Sequence, residues 1–203
     1  MMTTTFRNGI MLVAATLALG ACASKGQPTV QYDFGPSAIP SAPASASNIG
    51  AIIVADVTGP AALDGERMHY RLLYADARQS RPYAYNQWTA TPLQLLTQRM
   101  KTNLSHGGVQ VLSTTDAAAS PTVLRMEVED FAQNFDTATS SQGVLRMRAS
   151  VFRNHRLVEQ KTFSSIKPAP SGDAAGGARA LADATDALAA DLLTWLAALP
   201  PSK

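Results

Sequence analysis

The chain has 203 residues, of which 46% are apolar and 16% charged. That length suits one domain with appendages, and the composition excludes both global disorder and a multispanning membrane protein. Seventeen Lys and Arg against fifteen Asp and Glu leave a formal charge of +2, which argues against nucleic acid as a partner because no phosphate-binding excess is present.

Residues 1–21 read as a cleaved signal peptide. Arg7 supplies the positive start, residues 10–19 an apolar run, and Gly20 and Ala21 the small residues at the cut. A helix over that run rises only about 15 Å, half of a hydrocarbon core of about 30 Å, so it does not make a permanent anchor. The chain's one cysteine, Cys22, follows at once, which rules out an internal disulfide. Leu19-Gly20-Ala21-Cys22 resembles the lipobox of bacterial lipoproteins. The resemblance implies diacylglyceryl transfer to the Cys22 thiol, cleavage before it and acylation of the new amine, with stable anchoring by more than one acyl chain. Ala23-Ser24 lacks the aspartate that retains such proteins in the inner membrane, so the same resemblance implies sorting to the outer membrane.

Residues 22–48 read as a lipid-anchored tether rich in Pro, Ala, Ser and Gly, with a coil span of about 25–30 Å. One island interrupts it, Gln31-Tyr32-Asp33-Phe34-Gly35-Pro36, whose two aromatics suit an early strand pinned to the body. The body is expected over 49–203 as a single periplasmic domain.

Within the body, residues 49–57 are β-branched and apolar on both faces, the pattern of an interior strand. Met68, Tyr70, Leu72 and Tyr74 share one face of a second strand, and residues 83–88 suit a further short one. Thr91-Pro92-Leu93-Gln94 carries three helix-start signals: Thr at the N-cap, Pro at the first position and Gln closing a capping box. Leu93, Leu96, Met100 and Leu104 then recur on one stripe, Gly107-Gly108 ends the helix, and residues 109–112 return as a strand. Leu124, Met126 and Val128 alternate with Arg125, Glu127 and Glu129, while Leu145, Met147, Ala149 and Val151 alternate with Arg146, Arg148 and Ser150. Antiparallel pairing of these two strands sets the glutamates beside the arginines on a wet face. A turn at 153–156 leads to a third strand over 157–163. A loose stretch at 167–173 precedes a final helix with its seam at Leu181, Thr185, Leu188, Leu192, Trp195 and Leu199, stopped by Pro200-Pro201. The expected fold is α/β of the α+β type: a mostly antiparallel or mixed sheet with one central helix and one long C-terminal helix packed on it.

Catalytic signatures are missing: no G-x-S-x-G, H-E-x-x-H or G-x-G-x-x-G occurs. Gly172 to Gly177 has the glycine spacing of a P-loop, but Ala178-Arg179 stands where Lys and then Ser or Thr must grip phosphate and magnesium. His69, His106 and His155 lack ligand spacing, so no metal and no cofactor is expected. Asp56, Asp64 and Glu66 form the one carboxylate grouping near a sheet edge, and solvated loop roles suit them better than catalysis. No enzymatic activity is expected. Tyr83, Tyr85 and Trp88 cluster between a turn and a helix cap, where aromatics either plug a core or meet a partner; they are the candidate partner-binding residues.

The chain resembles the ABC-type transport auxiliary lipoproteins, the PqiC-like family that accompanies MCE-type lipid transporters. The residues that carry the resemblance are Tyr32 after Cys22, Pro60 and Leu63, Tyr70-Arg71-Leu72, Tyr85 and Trp88, and Pro92-Leu93 with Leu96 and Leu104. Residues 124–131 and 143–152, Phe163 and the C-terminal Ala/Leu helix extend it over nearly the whole mature chain. The resemblance implies an outer-membrane lipoprotein facing the periplasm of a Gram-negative bacterium. Its implied partners are an MCE-type substrate-binding subunit with a permease and an ATPase, and self-assembly into a homo-oligomer is open. Its implied role is to dock that assembly to the outer membrane during transfer of phospholipid or related lipid. The alternative is a structural lipoprotein of envelope assembly or maintenance that binds protein or glycan.

Overall fold

The computed structural model of the protein describes residues 27–37, 51–116 and 122–200. The expected signal peptide, the lipidation residue Cys22 and the 38–48 part of the tether lie outside them. Among the described residues eight strands make one mixed sheet: β1 (Val30–Tyr32), β2 (Ala51–Val54), β3 (Arg67–Leu72), β4 (Ala77–Trp88), β5 (Gln110–Leu112), β6 (Thr122–Phe135), β7 (Ser141–Arg153) and β8 (Arg156–Pro168). Among the described residues the α-helices are a single turn α1 (Leu73–Asp76), α2 (Pro92–His106) and the C-terminal α3 (Ala174–Ala197), with a 3-10 turn at Ala61–Leu63. This is the mixed α/β architecture expected from the sequence.

Strand β6 is the spine of the sheet. Its inward residues Leu124, Met126 and Val128 are buried while Arg125, Glu127 and Glu129 are exposed, as the alternation requires. One flank bonds along its whole length to β7, which in turn pairs with β8, both antiparallel. The other flank is shared by two short parallel partners, β2 at Ile52↔Thr122 and β3 at Tyr70↔Gln133, with a Thr58↔Glu127 bridge between them. Beyond β2 lies β5, and beyond β3 lie β4 and then β1. Glu127 faces Arg148 and the two pair. A bulge after Val128 shifts the register so that Asp130 stands opposite Arg146, yet Arg146 still reaches Glu129 at 2.8 Å. Between β7 and β8, Asn154 and His155 take φ of 49° and 62°, the paired left-handed geometry of a two-residue hairpin turn.

Both long helices cover the same face. The capping box of α2 forms as expected, with Gln94 N–H donating to Thr91 Oγ1 at 3.3 Å and Thr91 N–H donating to the Gln94 side chain at 3.2 Å. Leu96, Met100 and Leu104 are buried; Leu93 is half-buried, and Leu95 joins the core at that end of the stripe. In α3, Asp173 caps the start by accepting from Gly176 N–H at 2.8 Å, and Leu181, Thr185, Leu188, Leu192 and Trp195 are buried. The helix crosses β7 at Gly143, where an added Cβ would lie 2.7 Å from the Ala180 and Leu181 backbone. Only a residue without a side chain permits that approach.

Some boundaries move. Among the described residues the first strand covers Ala51–Val54 and stops short of Val57, and the second ends at Leu72, so that Leu73 and Tyr74 stand exposed on α1 rather than continuing its face. Strand β4 starts at Ala77, well before residue 83, and β8 runs through to Pro168, into the stretch expected to be loose. The largest shift is at the N-terminus. The island at 31–36 opens inside β1, which bonds parallel to β4 at Val30↔Asn86, and Phe34 enters the core. The boundary drawn at 48/49 is therefore corrected: residues 30–37 belong to the body, because two aromatics and a strand ladder outweigh the surrounding prolines. None of the helices among the described residues is long and apolar enough to cross a membrane.

Candidate functional site

The residues singled out in the sequence lie along β4, where β1 and the segment after it are stapled to the body, but they do not share one environment. Trp88 is 2% exposed. Its ring meets Phe34 edge-on at 5.6 Å and Phe131 at 5.8 Å, and Phe34 and Phe131 close the triangle at 6.1 Å. Trp88 is thus corrected from a partner contact to a core residue, since a ring buried on all sides offers no surface. Tyr83 is half-buried and packs on Tyr70 at 4.6 Å, itself against Phe135 at 5.7 Å. Its hydroxyl donates to Gln133 Oε1 at 2.8 Å, and Gln133 Nε2 donates to Ser141 Oγ at 2.8 Å and to the Asp173 carbonyl at 3.1 Å. Burial first, and then the neighbouring Tyr70, Asp173 and Tyr32, push the Tyr83 hydroxyl well above the usual phenol range, so it serves as a donor. Gly177 makes room for this network, because a Cβ there would collide with Gln133 Oε1. Tyr85 alone of the three is exposed, at 49%.

A second constellation, which the sequence did not announce, holds the chain downstream of β1. Arg99 on α2 is buried and donates from Nε and Nη2 to the two Asp186 oxygens of α3, each at 2.6 Å. The same guanidinium donates from Nη1 to the Gly35 carbonyl at 3.0 Å and from Nη2 to the Pro36 carbonyl at 3.3 Å. Asn103 Nδ2 donates to Asp186 Oδ1 at 2.8 Å and Ser37 Oγ donates to Asn103 Oδ1 at 2.7 Å. Asp33 accepts from Gly35 N–H at 2.7 Å, and Thr89 N–H donates to the Tyr32 carbonyl at 2.8 Å. A bidentate Arg–carboxylate pair with further donors satisfied is the geometry in which a buried ion pair holds firmly. It ties three elements distant in sequence to one point.

Beside this clamp runs an open groove of about 410 Å³ lined by Tyr32, Phe34, Arg99, Arg179, Asp183 and Asp186 among others. A second, of about 340 Å³, lies between the start of α2 and the loop after β2, where Lys101 bridges to Asp56 at 2.8 Å. Neither is a closed apolar tunnel, for charged groups stand in both walls. The carboxylates Asp56, Asp64 and Glu66 are not drawn together: Asp56 pairs with Lys101, Asp64 turns back on Ala61 through its amide, and the Glu66 carbonyl accepts from Trp88 N–H. His69 sits in β3 opposite Pro82, its pKa lowered mainly by burial; His106 ends α2 and His155 forms the hairpin turn. Among the described residues no group of three or more His, Cys, Asp or Glu is placed to hold a metal ion.

Residues 32–192 match the family described as ABC-type transport auxiliary lipoprotein component. The chain belongs to that family. The match opens at Tyr32, inside the segment that the clamp fixes. The fold is similar to a crystal structure of protein XCC0632 from Xanthomonas campestris, with a TM-score of 0.71, 17% identity, and coverage of 83% of this chain and 95% of that one. A second crystal structure, of an uncharacterized protein, gives a TM-score of 0.67 at 17% identity, covering 84% of this chain and 99% of that one. At such identities the likeness shows the fold alone. No curated protein matches the chain.

Proposed function

We propose that this protein is lipidated on Cys22, sits at the periplasmic face of the outer membrane, and docks the periplasmic substrate-binding assembly of an ABC/MCE-type transporter there for transfer of phospholipid or related lipid. The family match across residues 32–192 carries this reading. The position of Cys22 directly after an apolar run supports the anchor. In this role the body hydrolyses nothing and needs no cofactor; energy comes from a separate ATPase chain acting through its permease, and the body supplies a fixed surface. Tyr85, exposed on β4, is its foremost partner-facing aromatic. Self-association of the body is compatible with this role.

Mild crosslinking of the tagged, membrane-anchored protein, followed by mass spectrometry of what is captured, tests the reading. Recovery of an MCE subunit with permease and ATPase supports it. Recovery of peptidoglycan-associated or assembly proteins without them overturns the transport role and leaves the anchor to be judged by fractionation of a Cys22→Ser variant, which should leave the membrane.

A further inference from the structure

The parallel pairing of β1 with β4 fixes the direction from which the chain arrives. Val30 stands opposite Asn86 and Tyr32 opposite Trp88, so residues before Val30 lead back toward the N-terminal end of β4 and the turn α1 that precedes it. Eight peptide units separate Cys22 from Val30, which limits its reach to about 29 Å. Arg67 stands opposite Gln87, and Leu72, at the hairpin end of β3, lies about 17 Å beyond it at strand spacing. The tip of the β3–β4 hairpin therefore falls within the reach of Cys22. The tether expected over 22–48 is shortened, because the segment from Val30 onward is stapled to the body.

That hairpin ends in an unusual surface. Leu73 and Tyr74 on α1 are 36% and 53% exposed, and no side chain of α1 is buried. Among the described residues, Val30, Leu73, Tyr74 and Tyr85 are four of the seven large apolar side chains left exposed, and all four lie on β1, on β4 or on the turn before it. The exposed Arg78 and the half-buried Arg81 follow on β4, and Asp76 accepts from the Arg78 amide at 2.9 Å. An exposed leucine and tyrosine at the hairpin tip, with arginines a few residues behind, match the layering of a lipid interface: apolar body inward, aromatic at the headgroup level, guanidinium outward.

We propose that the β3–β4 hairpin tip, led by Leu73 and Tyr74, inserts into the phospholipid leaflet that carries the acyl chains. The acyl anchor and the tip then make two attachments, which orient the body and point the β7–β8 turn, at the other end of the long strands, away from the membrane. This rests on lipidation of Cys22.

The test uses the full lipidated protein with Leu73→Cys, labelled with an environment-sensitive fluorophore; the sulfur of residue 22, held in a thioether, does not react. Tyr74→Cys gives a second label position and Val158→Cys a control beside the β7–β8 turn. The probe is a vesicle of phosphatidylethanolamine and phosphatidylglycerol, with and without nitroxide on the acyl chains. The expected result is a blue shift and strong quenching at 73 and 74, with the label at 158 unchanged. A protein that carries its acyl mass and floats with vesicles, yet is quenched no more at 73 and 74 than at 158, overturns the docking while leaving the anchor intact. Absence of acyl mass on residue 22 removes the anchor and the proposal with it.

Discussion

Arg99 and Asp186 lie 87 residues apart, and the guanidinium of one grips both carboxylate oxygens of the other at 2.6 Å while holding the carbonyls of Gly35 and Pro36. The pair is a joint between α2, α3 and the entering chain. Arg99→Met leaves the Asp186 charge without its partner and two carbonyls without a donor, and is expected to cost about 2–4 kcal/mol by urea denaturation. The double variant Arg99→Met with Asp186→Leu should recover part of that loss. In the single variant, limited proteolysis near residues 35–37 should speed up more than elsewhere, because the segment loses its clamp.

Trp88 and Tyr85 should separate cleanly. Trp88→Ala empties the centre of the Phe34–Phe131 triangle and should destabilise by about 3–5 kcal/mol in chemical denaturation. Tyr85→Ala should change stability by no more than about 0.5 kcal/mol. If Tyr85 meets a partner, its effect appears in the crosslinking yield of a folded protein.

Gly143 marks the tightest helix-to-sheet approach. A methyl group there meets backbone of α3 that cannot rotate aside, so Gly143→Ala should cost about 1–3 kcal/mol and lower the melting temperature. Gly65, with nothing near the position of an added Cβ, is the matched control and should tolerate alanine.

Asp173 gives a pH dependence with a definite sign. The Gly176 amide, followed by the Ser171 hydroxyl, holds its carboxyl below the usual carboxylate range. A folded-state pKa below the unfolded one stabilises the protein above the ordinary value of about 4. That contribution fades as pH falls through the lower folded value. Asp173→Ala should therefore cost about 0.5–1 kcal/mol at neutral pH, and the gap to the unmodified protein should narrow in acid melts below pH ~4.

Where the signal is local, the sequence carries the fold. Thr91-Pro92-Leu93-Gln94 announces α2 because its cap is closed by residues three apart, and the alternation of 124–129 against 145–151 announces β6 and β7 because one face is dry. Strand β1 is harder to read: it is three residues long amid proline and serine, and what secures it is Phe34 meeting Trp88 and Phe131 far along the chain. Tyr32 and Phe34 flanking an Asp33–Gly35 turn are the one sequence hint. Of the candidate site, Tyr85 is exposed, whereas Trp88 carries the same aromatic signature and is buried, since composition cannot tell a plug from a contact. The Arg99–Asp186 clamp left no mark in the sequence: an arginine on a helix looks solvated until the acid 87 residues later is known to face it.

The side-by-side run of β1 and β4 also has a mechanical meaning. A force applied at the N-terminal end of the described body enters at residue 30, along the axis of β1. Parallel strands loaded that way share the force across their rungs in shear, instead of unzipping one rung after another. Beyond the last rung Phe34 in the core takes the load, and the Arg99 clamp on Gly35 and Pro36 is the next stop. The attachment is arranged to bear tension applied at the N-terminal end of β1.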